Sequence, residues 1–240
     1  MIANLLRRIL DFLGILPLKL PLTEVVSIAL LSPSLKKIQL QGNFSKIKIT
    51  SGSYLSFKLN YTQVRTYTIA QVDRERNILE LIVYLHKNGG PGLQFINQLR
   101  LGNTLNISNL RANSANLKLQ TTKYVFFGDE SSLGLALSLL PKWQKEAYQF
   151  LFLFELEEEN KDIPACLGIE KSIVFSKNQT FRNERRINQL APIQSNAWEN
   201  ATFLLTGNAK SIEIFKKVIN DKTQSKVYTR AYWTEGIEGL

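Results

Sequence analysis

Two rhythms of hydrophobic and polar positions divide the chain. From residue 22 to about residue 118, short alternating runs are separated by polar turns: EVVSIALL, KKIQLQG, SYLSFKL, RTYTIAQV, ILELIVYLH and NTLNI follow one another. Runs of period two at this spacing predict strands of an antiparallel barrel or sandwich. One segment breaks the rhythm. In GPGLQFINQLRLG, residues 90 to 102, Leu93, Ile96 and Leu99 stand at helical spacing behind a glycine-rich entry, which predicts a short helix among the strands.

After about residue 120 the apolar runs become continuous. YVFFG, FLFLFEL, KSIVFS and TFLLTG read as buried parallel strands, and KVYTRAYW closes the chain as another strand. DESSLGLALSLLPKW and the amphipathic NAKSIEIFKKVIN supply helices between them. Strand and helix in alternation predict an open parallel sheet with crossover helices. The expected fold class is therefore a β-barrel plus α/β: an antiparallel barrel over residues 17–119, then a parallel-sheet, nucleotide-binding-like domain over residues 120–240. Ahead of them, Ile2, Leu5, Leu6, Ile9 and Leu13 share one face of a predicted helix over residues 1–16, expected to pack on its own domain. Arg7, Arg8 and Asp11 interrupt that apolar stretch and no small-residue cleavage site follows. No integral membrane segment and no signal peptide are expected, and the expected location is cytoplasmic.

Charge narrows the partners. Thirty Lys and Arg against 20 Asp and Glu leave +10, which favours an anionic partner. The basic residues are scattered, with no long block and no zinc-finger or RNP-like motif, so nucleic acid is not expected. The one cysteine, Cys166, and the one histidine, His86, cannot build a disulfide, a Cys-rich zinc site or a Cys-ligated iron–sulfur cluster. No metal site is expected, and redox chemistry would require a bound organic cofactor.

RTYTI, residues 65 to 69, is the segment with most chemistry. In a strand Arg65, Tyr67 and Ile69 face one side, Thr66 and Thr68 the other. The residues alone fit either an ordinary surface strand, with Arg65 in a salt bridge, or a cofactor platform.

Further segments carry a family pattern: LPLTEVVSIALLSPSLKKIQLQGNF, RTYTI, HKNGGPGLQFINQLRLGNTLNI, FFGDESSLGLALSLL, FLLTGNAKSIEIFKKVI and YWTEG. With these in order, the chain resembles the siderophore-interacting proteins, FAD-containing ferric-siderophore reductases of the ferredoxin–NADP reductase type, from Leu16 to Gly236. The resemblance implies a flavin-binding barrel. It places the FAD pyrophosphate against Arg65, whose planar guanidinium binds phosphate bidentately, and against Gly90, Pro91, Gly92 and Leu93, where a helix start offers free N–H groups. It places the flavin ring by Tyr67, Thr68 and Ile69, and His86 near the cofactor. No side chain is expected to be catalytic, since FAD carries the chemistry.

The resemblance also implies a nicotinamide-binding set at Gly128, Asp129, Glu130, Ser131, Ser132 and Gly207. The same turn fits an ordinary helix N-cap, with acidic residues favoured by the helix dipole. Here the family's Thr-Ala-Leu-Pro is replaced by Ser131-Ser132-Leu133-Gly134, its later Gly-Glu pair by Gly207-Asn208, and its Gly-Pro after NTLNI by Ser108-Asn109. A second arginine after the Tyr-Thr pair is replaced by Ile69-Ala70, leaving Lys87 or Arg111 to compensate. The expected electron donor is NAD(P)H or a reduced protein such as ferredoxin. The expected partner is a ferric siderophore or other ferric chelate, met by a basic rim of Lys58, Arg111 and Arg230. The alternative is a non-catalytic flavin- or siderophore-binding module on the same fold.

Overall fold

The computed structural model describes residues 22–45, 47–60, 63–86, 89–111 and 121–236. The helix expected over residues 1–16 lies outside the described residues, as does Lys87, and so does the side chain of Arg111.

The alternating runs form a closed antiparallel barrel. Its strands are β1 (Leu22–Ser32), β2 (Leu35–Gln41), β3 (Tyr54–Lys58), β4 (Val64–Asp73), β5 (Ile78–Tyr84) and β6 (Thr104–Arg111), in the spatial order β1-β2-β5-β4-β3-β6. Alternate residues turn inward, so Val25, Ile38, Leu40, Leu55, Phe57, Ile69 and Leu81 fill the interior. Helix α1 (Pro91–Gln98) plugs the barrel with Ile96, and Leu99 follows it into the same core.

The continuous apolar runs form the second layer system. Strands β7 (Lys123–Gly128), β8 (Gln149–Leu156), β9 (Ser172–Ser176), β10 (Thr202–Asn208) and β11 (Lys226–Trp233) make a parallel sheet in the order β11-β10-β7-β8-β9. Both faces are covered, which explains why these strands read as unbroken apolar runs. Helix α3 (Ala209–Lys222) covers one face with Ile212, Phe215, Val218 and Ile219. Helix α2 (Leu133–Lys145) covers the other, stacking Trp143 on Tyr124 at 5.0 Å.

The first two turns of α2, Leu133 to Leu140, are buried nearly all round because they have two partners. Leu35, Ala70 and Ile82 of the barrel belong to the same apolar cluster as Leu133, Leu137 and Phe126. Gly134 lies against the strand at the cleft: a Cβ there would stand 3.3 Å from the Thr68 carbonyl oxygen and 3.8 Å from the Ala70 Cβ. One apolar cluster therefore spans the two sheets, with α2 between them.

A buried polar network closes this joint. Glu130, just past β7, is fully buried, and its Oε2 pairs with Lys177 Nζ at 2.6 Å. Its Oε1 accepts from the Glu157 backbone N–H at 2.7 Å and from Asn160 Nδ2 at 3.2 Å. Asn160 in turn holds the β1–β2 turn: Nδ2 donates to Ser34 Oγ at 3.0 Å and Oδ1 accepts from Ser32 Oγ at 2.6 Å. Lys177 also donates to Tyr84 Oη at 3.3 Å, at the end of β5. Each domain thus satisfies buried groups of the other.

Removing one member of a buried ion pair leaves the other charge uncompensated. Lys177→Met is expected to destabilise the fold by about 3–5 kcal/mol in chemical denaturation. Adding Glu130→Gln should recover much of that loss, because the amide oxygen keeps the Glu157 and Asn160 contacts without the charge. A single variant as stable as the parent would refute the joint.

Candidate functional site

The cleft begins where a ladder ends. Strands β4 and β5 pair from Asp73–Ile78 up to Ile69–Leu81 and no further. Beyond that point β4 pairs only with β3, through Tyr54–Thr68 to Lys58–Val64, while β5 continues along β2 to Tyr84–Leu35. The barrel wall therefore opens into a seam between Val64–Thr68 and Ile82–Tyr84. A cleft of about 710 Å³ occupies it, bounded also by the start of α1 and the end of β11.

Arg65, Tyr67 and Thr68 all line this cleft, as do His86, Gly90, Pro91, Gly92 and Leu93. Tyr67 tucks its ring toward Phe57, with centroids 5.9 Å apart, and burial pushes its hydroxyl up to about 12, so it stays protonated. Thr66 turns to the β3 side, where its hydroxyl meets that of Ser56 at 2.9 Å. Ile69 lies elsewhere. Its side chain is in the barrel interior and its N–H donates to the Ser53 carbonyl at 2.9 Å, so the strand reaches the cleft only as far as Thr68.

The start of α1 is shaped around Arg65. Gly90 caps the helix at φ 103°, a conformation that favours glycine, and Pro91 occupies the first helical turn. The Gln94 N–H bonds back to the Gly90 carbonyl at 3.1 Å, leaving the N–H groups of Gly92 and Leu93 without intrahelical partners. A Cβ at Gly92 would stand 3.2 Å from Arg65 Cγ and 3.3 Å from its Nε, so glycine lets the arginine lie over the helix start. No carboxylate pairs with Arg65 among the described residues; its Nη1 donates only to the Val64 carbonyl, at 3.0 Å. Guanidinium, helix N–H groups and open glycine backbone converge on one end of the cleft. That is the donor set a phosphate group requires.

The opposite wall comes from the end of β11. Trp233 donates its Nε1 proton to Asp129 Oδ2 at 2.6 Å and meets His86 edge-on at 5.2 Å, and His86 meets Tyr84 at 4.4 Å. Burial first, and then the nearby Lys177 ammonium, lower the His86 pKa to about 4. Arg230 lies across the rings of Tyr54 at 5.1 Å and Tyr232 at 5.5 Å. Burial raises the pKa of the Tyr232 hydroxyl, against the opposing effect of Arg230, and this oxygen has no hydrogen-bond partner among the described residues.

The set expected at the β7 turn mostly faces inward. Asp129 is buried and accepts from the Ser131 N–H at 2.9 Å, from the Ser131 hydroxyl and from Trp233, while burial and then Glu130 raise its pKa. Glu130 belongs to the domain joint. Ser132 accepts from Thr206 Oγ1 at 2.9 Å, and a Cβ on Gly128 would collide with Ser132. Gly207, at φ 101°, leaves room for Asp129: a Cβ there would stand 2.6 Å from the carboxyl carbon. Of these six, Ser131 alone reaches the cleft. Of the expected rim, Arg230 lines the cleft, whereas Lys58 borders a separate depression with Phe57, Asn60 and Phe95. Tyr54, Tyr84, Tyr232 and Trp233 are cleft residues that sequence reasoning did not select. The aromatic density of KVYTRAYW was visible, but not that β11 would end against the barrel seam.

Residues 21–111 match the family of oxidoreductase FAD-binding domains. No curated protein matches the chain. Among solved structures it is similar to the siderophore-interacting protein of Acinetobacter baumannii, at 17% identity and TM-score 0.73 over 91% of this chain and 92% of that one. It is similar to the siderophore-interacting protein SipS of Aeromonas hydrophila at 19% identity and TM-score 0.71, over 92% and 94% of the two chains. A phthalate dioxygenase reductase, described as transferring electrons from pyridine nucleotides to [2Fe-2S], aligns at 13% identity and TM-score 0.71 over 91% of this chain and 69% of its own. At these identities the likenesses establish the fold alone, an antiparallel barrel followed by a parallel sheet. The family match falls on the barrel.

The His86 shift has a signed consequence. Its pKa in the fold lies below the unfolded value of 6.5, so its contribution to stability is complete above pH 6.5 and is lost as pH falls toward 4. His86→Asn should flatten the stability profile between those limits, and an imidazole NMR titration should give a midpoint well under 6.5. A midpoint at the ordinary value would contradict the packed Tyr84–His86–Trp233 wall.

Proposed function

We propose that the protein is an FAD-dependent ferric-siderophore reductase, releasing iron as Fe(II) from a ferric chelate with electrons from NAD(P)H or a reduced protein. The observation that carries the reading is the seam itself. Arg65, Tyr67 and Thr68 share one open cleft with the Gly90–Leu93 helix start, and the same barrel matches the FAD-binding family. The site passes a test of fit: a guanidinium that no carboxylate pairs among the described residues and helix N–H groups without intrahelical partners suit a pyrophosphate, and Gly92 keeps that end open. Arg65 and the N–H groups of Gly92 and Leu93 would hold the pyrophosphate, and Tyr67 and Thr68 would border the ring. FAD, when bound, supplies two-electron acceptance and one-electron release. The remaining work of the chain is to orient the ring and admit the chelate.

The siderophore-specific part rests on the motif order and on the similarity to siderophore-interacting proteins. Arg230, held between two tyrosine rings on the cleft wall, offers an anionic chelate a cation that no carboxylate neutralises among the described residues. For the donor, one observation favours a reduced protein over a nicotinamide: Asp129, Glu130 and Ser132 are already bonded inside the fold. Stopped-flow mixing of the flavin-loaded protein with NADH and NADPH separates the two; bleaching by either assigns a nicotinamide donor. No helix among the described residues is long and apolar enough to cross a membrane.

Arg65→Ala removes a charge-assisted phosphate contact of about 1.5–3 kcal/mol, so FAD affinity should fall tenfold or more. Unchanged flavin retention would remove Arg65 from the site. The chelate reading makes a separate claim. Reduction of an anionic ferric chelate should slow markedly as ionic strength rises, while a neutral chelate changes little, because screening weakens long-range attraction. Equal salt responses would refute electrostatic recruitment.

A further inference from the structure

Ser131 brings the β7 turn to the cleft, and it arrives there bonded to a buried acid. Its hydroxyl donates to Asp129 Oδ1 at 2.5 Å, and its backbone N–H donates to the same oxygen at 2.9 Å. The other oxygen, Oδ2, receives the Trp233 Nε1 proton at 2.6 Å. Asp129 itself is fully buried. Gly207, near the end of β10, lies directly against the carboxylate: a Cβ there would stand 2.6 Å from the carboxyl carbon, 2.7 Å from Oδ2 and 2.8 Å from Oδ1. The acid therefore meets the cleft through two neighbours, Ser131 and Trp233, both of which line it.

The two neighbours differ in what they can pass on. An indole N–H only donates, so Trp233 holds Oδ2 and carries no proton through. A hydroxyl donates and accepts, so the Ser131–Asp129 bond can run in either direction. With Asp129 ionised, Ser131 donates to Oδ1. With Asp129 protonated on Oδ1, Ser131 accepts and turns its own O–H toward the cleft. Several elements act on this charge. Burial and then Glu130 raise the Asp129 pKa, against Lys177 and the bonds from Ser131 and Trp233. Glu155, on β8, is also fully buried; its Oε1 accepts from Ser211 Oγ at 2.5 Å, and its Oε2 has no hydrogen-bond partner among the described residues. Burial pushes Glu155 up to about 7, and the charge of Asp129 adds to that shift. Asp129 acts in the same upward sense on the Tyr232 hydroxyl, after burial.

We propose that Ser131 and Asp129 form a proton relay to the cofactor ring, with Ser131 exchanging the proton and Asp129, acting through it, as the positioning residue that resupplies it. The proposal rests on the reading that FAD lies in the cleft. Ser131 stands at the ring end of that cleft, away from the pyrophosphate end. Gly134, three residues on, packs against the Thr68 carbonyl, and Thr68 is where that reading puts the ring. The need follows from the donor. A reduced protein delivers electrons without hydrogen, so two-electron reduction of the ring draws one proton from its surroundings. The Ser131 O–H bond breaks as a ring N–H bond forms, while the Asp129 O–H bond breaks and its proton re-forms the Ser131 hydroxyl. Asp129 is left as a carboxylate and is reprotonated from water through the cleft. When two ferric ions take the two electrons, the proton leaves along the same path in reverse.

The test is anaerobic photoreduction of the FAD-loaded full chain, with a photosensitiser supplying electrons one at a time and a pH-indicator dye following proton uptake. In the parent, uptake should keep pace with bleaching of the flavin. Ser131→Ala retains the backbone bond to Asp129 but has no hydroxyl, so uptake should lag about tenfold or more, a part of what a positioned acid–base group supplies. Ser131→Thr returns the hydroxyl and should restore the parent's pace. The parent's uptake should also slow as pH rises through the titration of Asp129, because only the protonated carboxyl resupplies Ser131. Asp129→Asn should remove that dependence; where the buried amide unseats the turn, the two Ser131 variants decide the question by themselves. Ser131→Ala that loads FAD and takes up protons at the parent's rate would overturn the relay and leave the flavin reading standing. A parent that holds no FAD would overturn the flavin reading and the relay with it.

Discussion

The structure depends on the point at which β4 and β5 stop pairing. A closed barrel of six strands would bury its wall residues against one another, yet here the ladder ends at Ile69–Leu81. Past it, the edges of Val64–Thr68 and Ile82–Tyr84 separate and must be supported by something else. Helix α2 provides that support on the outside, pressing Gly134 against the Thr68 carbonyl and sharing its core with Ala70 and Ile82. The start of α1 and the end of β11 frame what remains open. The cleft exists because two sheets and one helix hold the seam apart.

This explains why a buried ion pair sits at the domain joint. Apolar packing along α2 is non-directional, whereas Glu130 fixes direction by receiving Lys177, Asn160 and the Glu157 N–H from defined angles. Lys177 connects that joint to the cleft wall, lying 4.6 Å from the Tyr84 ring centroid and 5.3 Å from that of Trp233. The same ammonium adds to burial in keeping His86 neutral. Domain orientation and cleft electrostatics are thus set by one set of residues, and a change in either acts on both.

Much of the fold was legible in the sequence, because each domain writes its own periodicity. Alternation marked the one-sided barrel strands, and YVFFG and FLFLFEL marked strands covered on both faces. Arg65, Tyr67, Thr68 and the Gly90–Leu93 turn were named from the family pattern, because the residues alone fit a surface strand and a common glycine turn equally well; the structure brings them to one cleft. At the β7 turn two readings stood open, and Asp129 does cap the turn that follows, as the helix N-cap alternative has it. Asp129 and Glu130 have the composition of a ligand-binding turn, but a sequence does not reveal that Trp233, 104 residues further on, will occupy one carboxylate, or Lys177 the other. Lys58 was misplaced relative to the cleft because its strand neighbours turn to a different depression. The aromatic residues of β11 were visible as a strand, while their meeting with the barrel depends on tertiary packing alone.

The central claim is that the open seam of the barrel is where FAD lies. Hydrogen–deuterium exchange of the purified chain, with and without added FAD, tests it residue by residue. The account predicts new protection over residues 64–68, 82–86 and 90–93, with the α3 region and residues 57–60 unchanged. Protection confined to other segments, or none at saturating FAD, would contradict it.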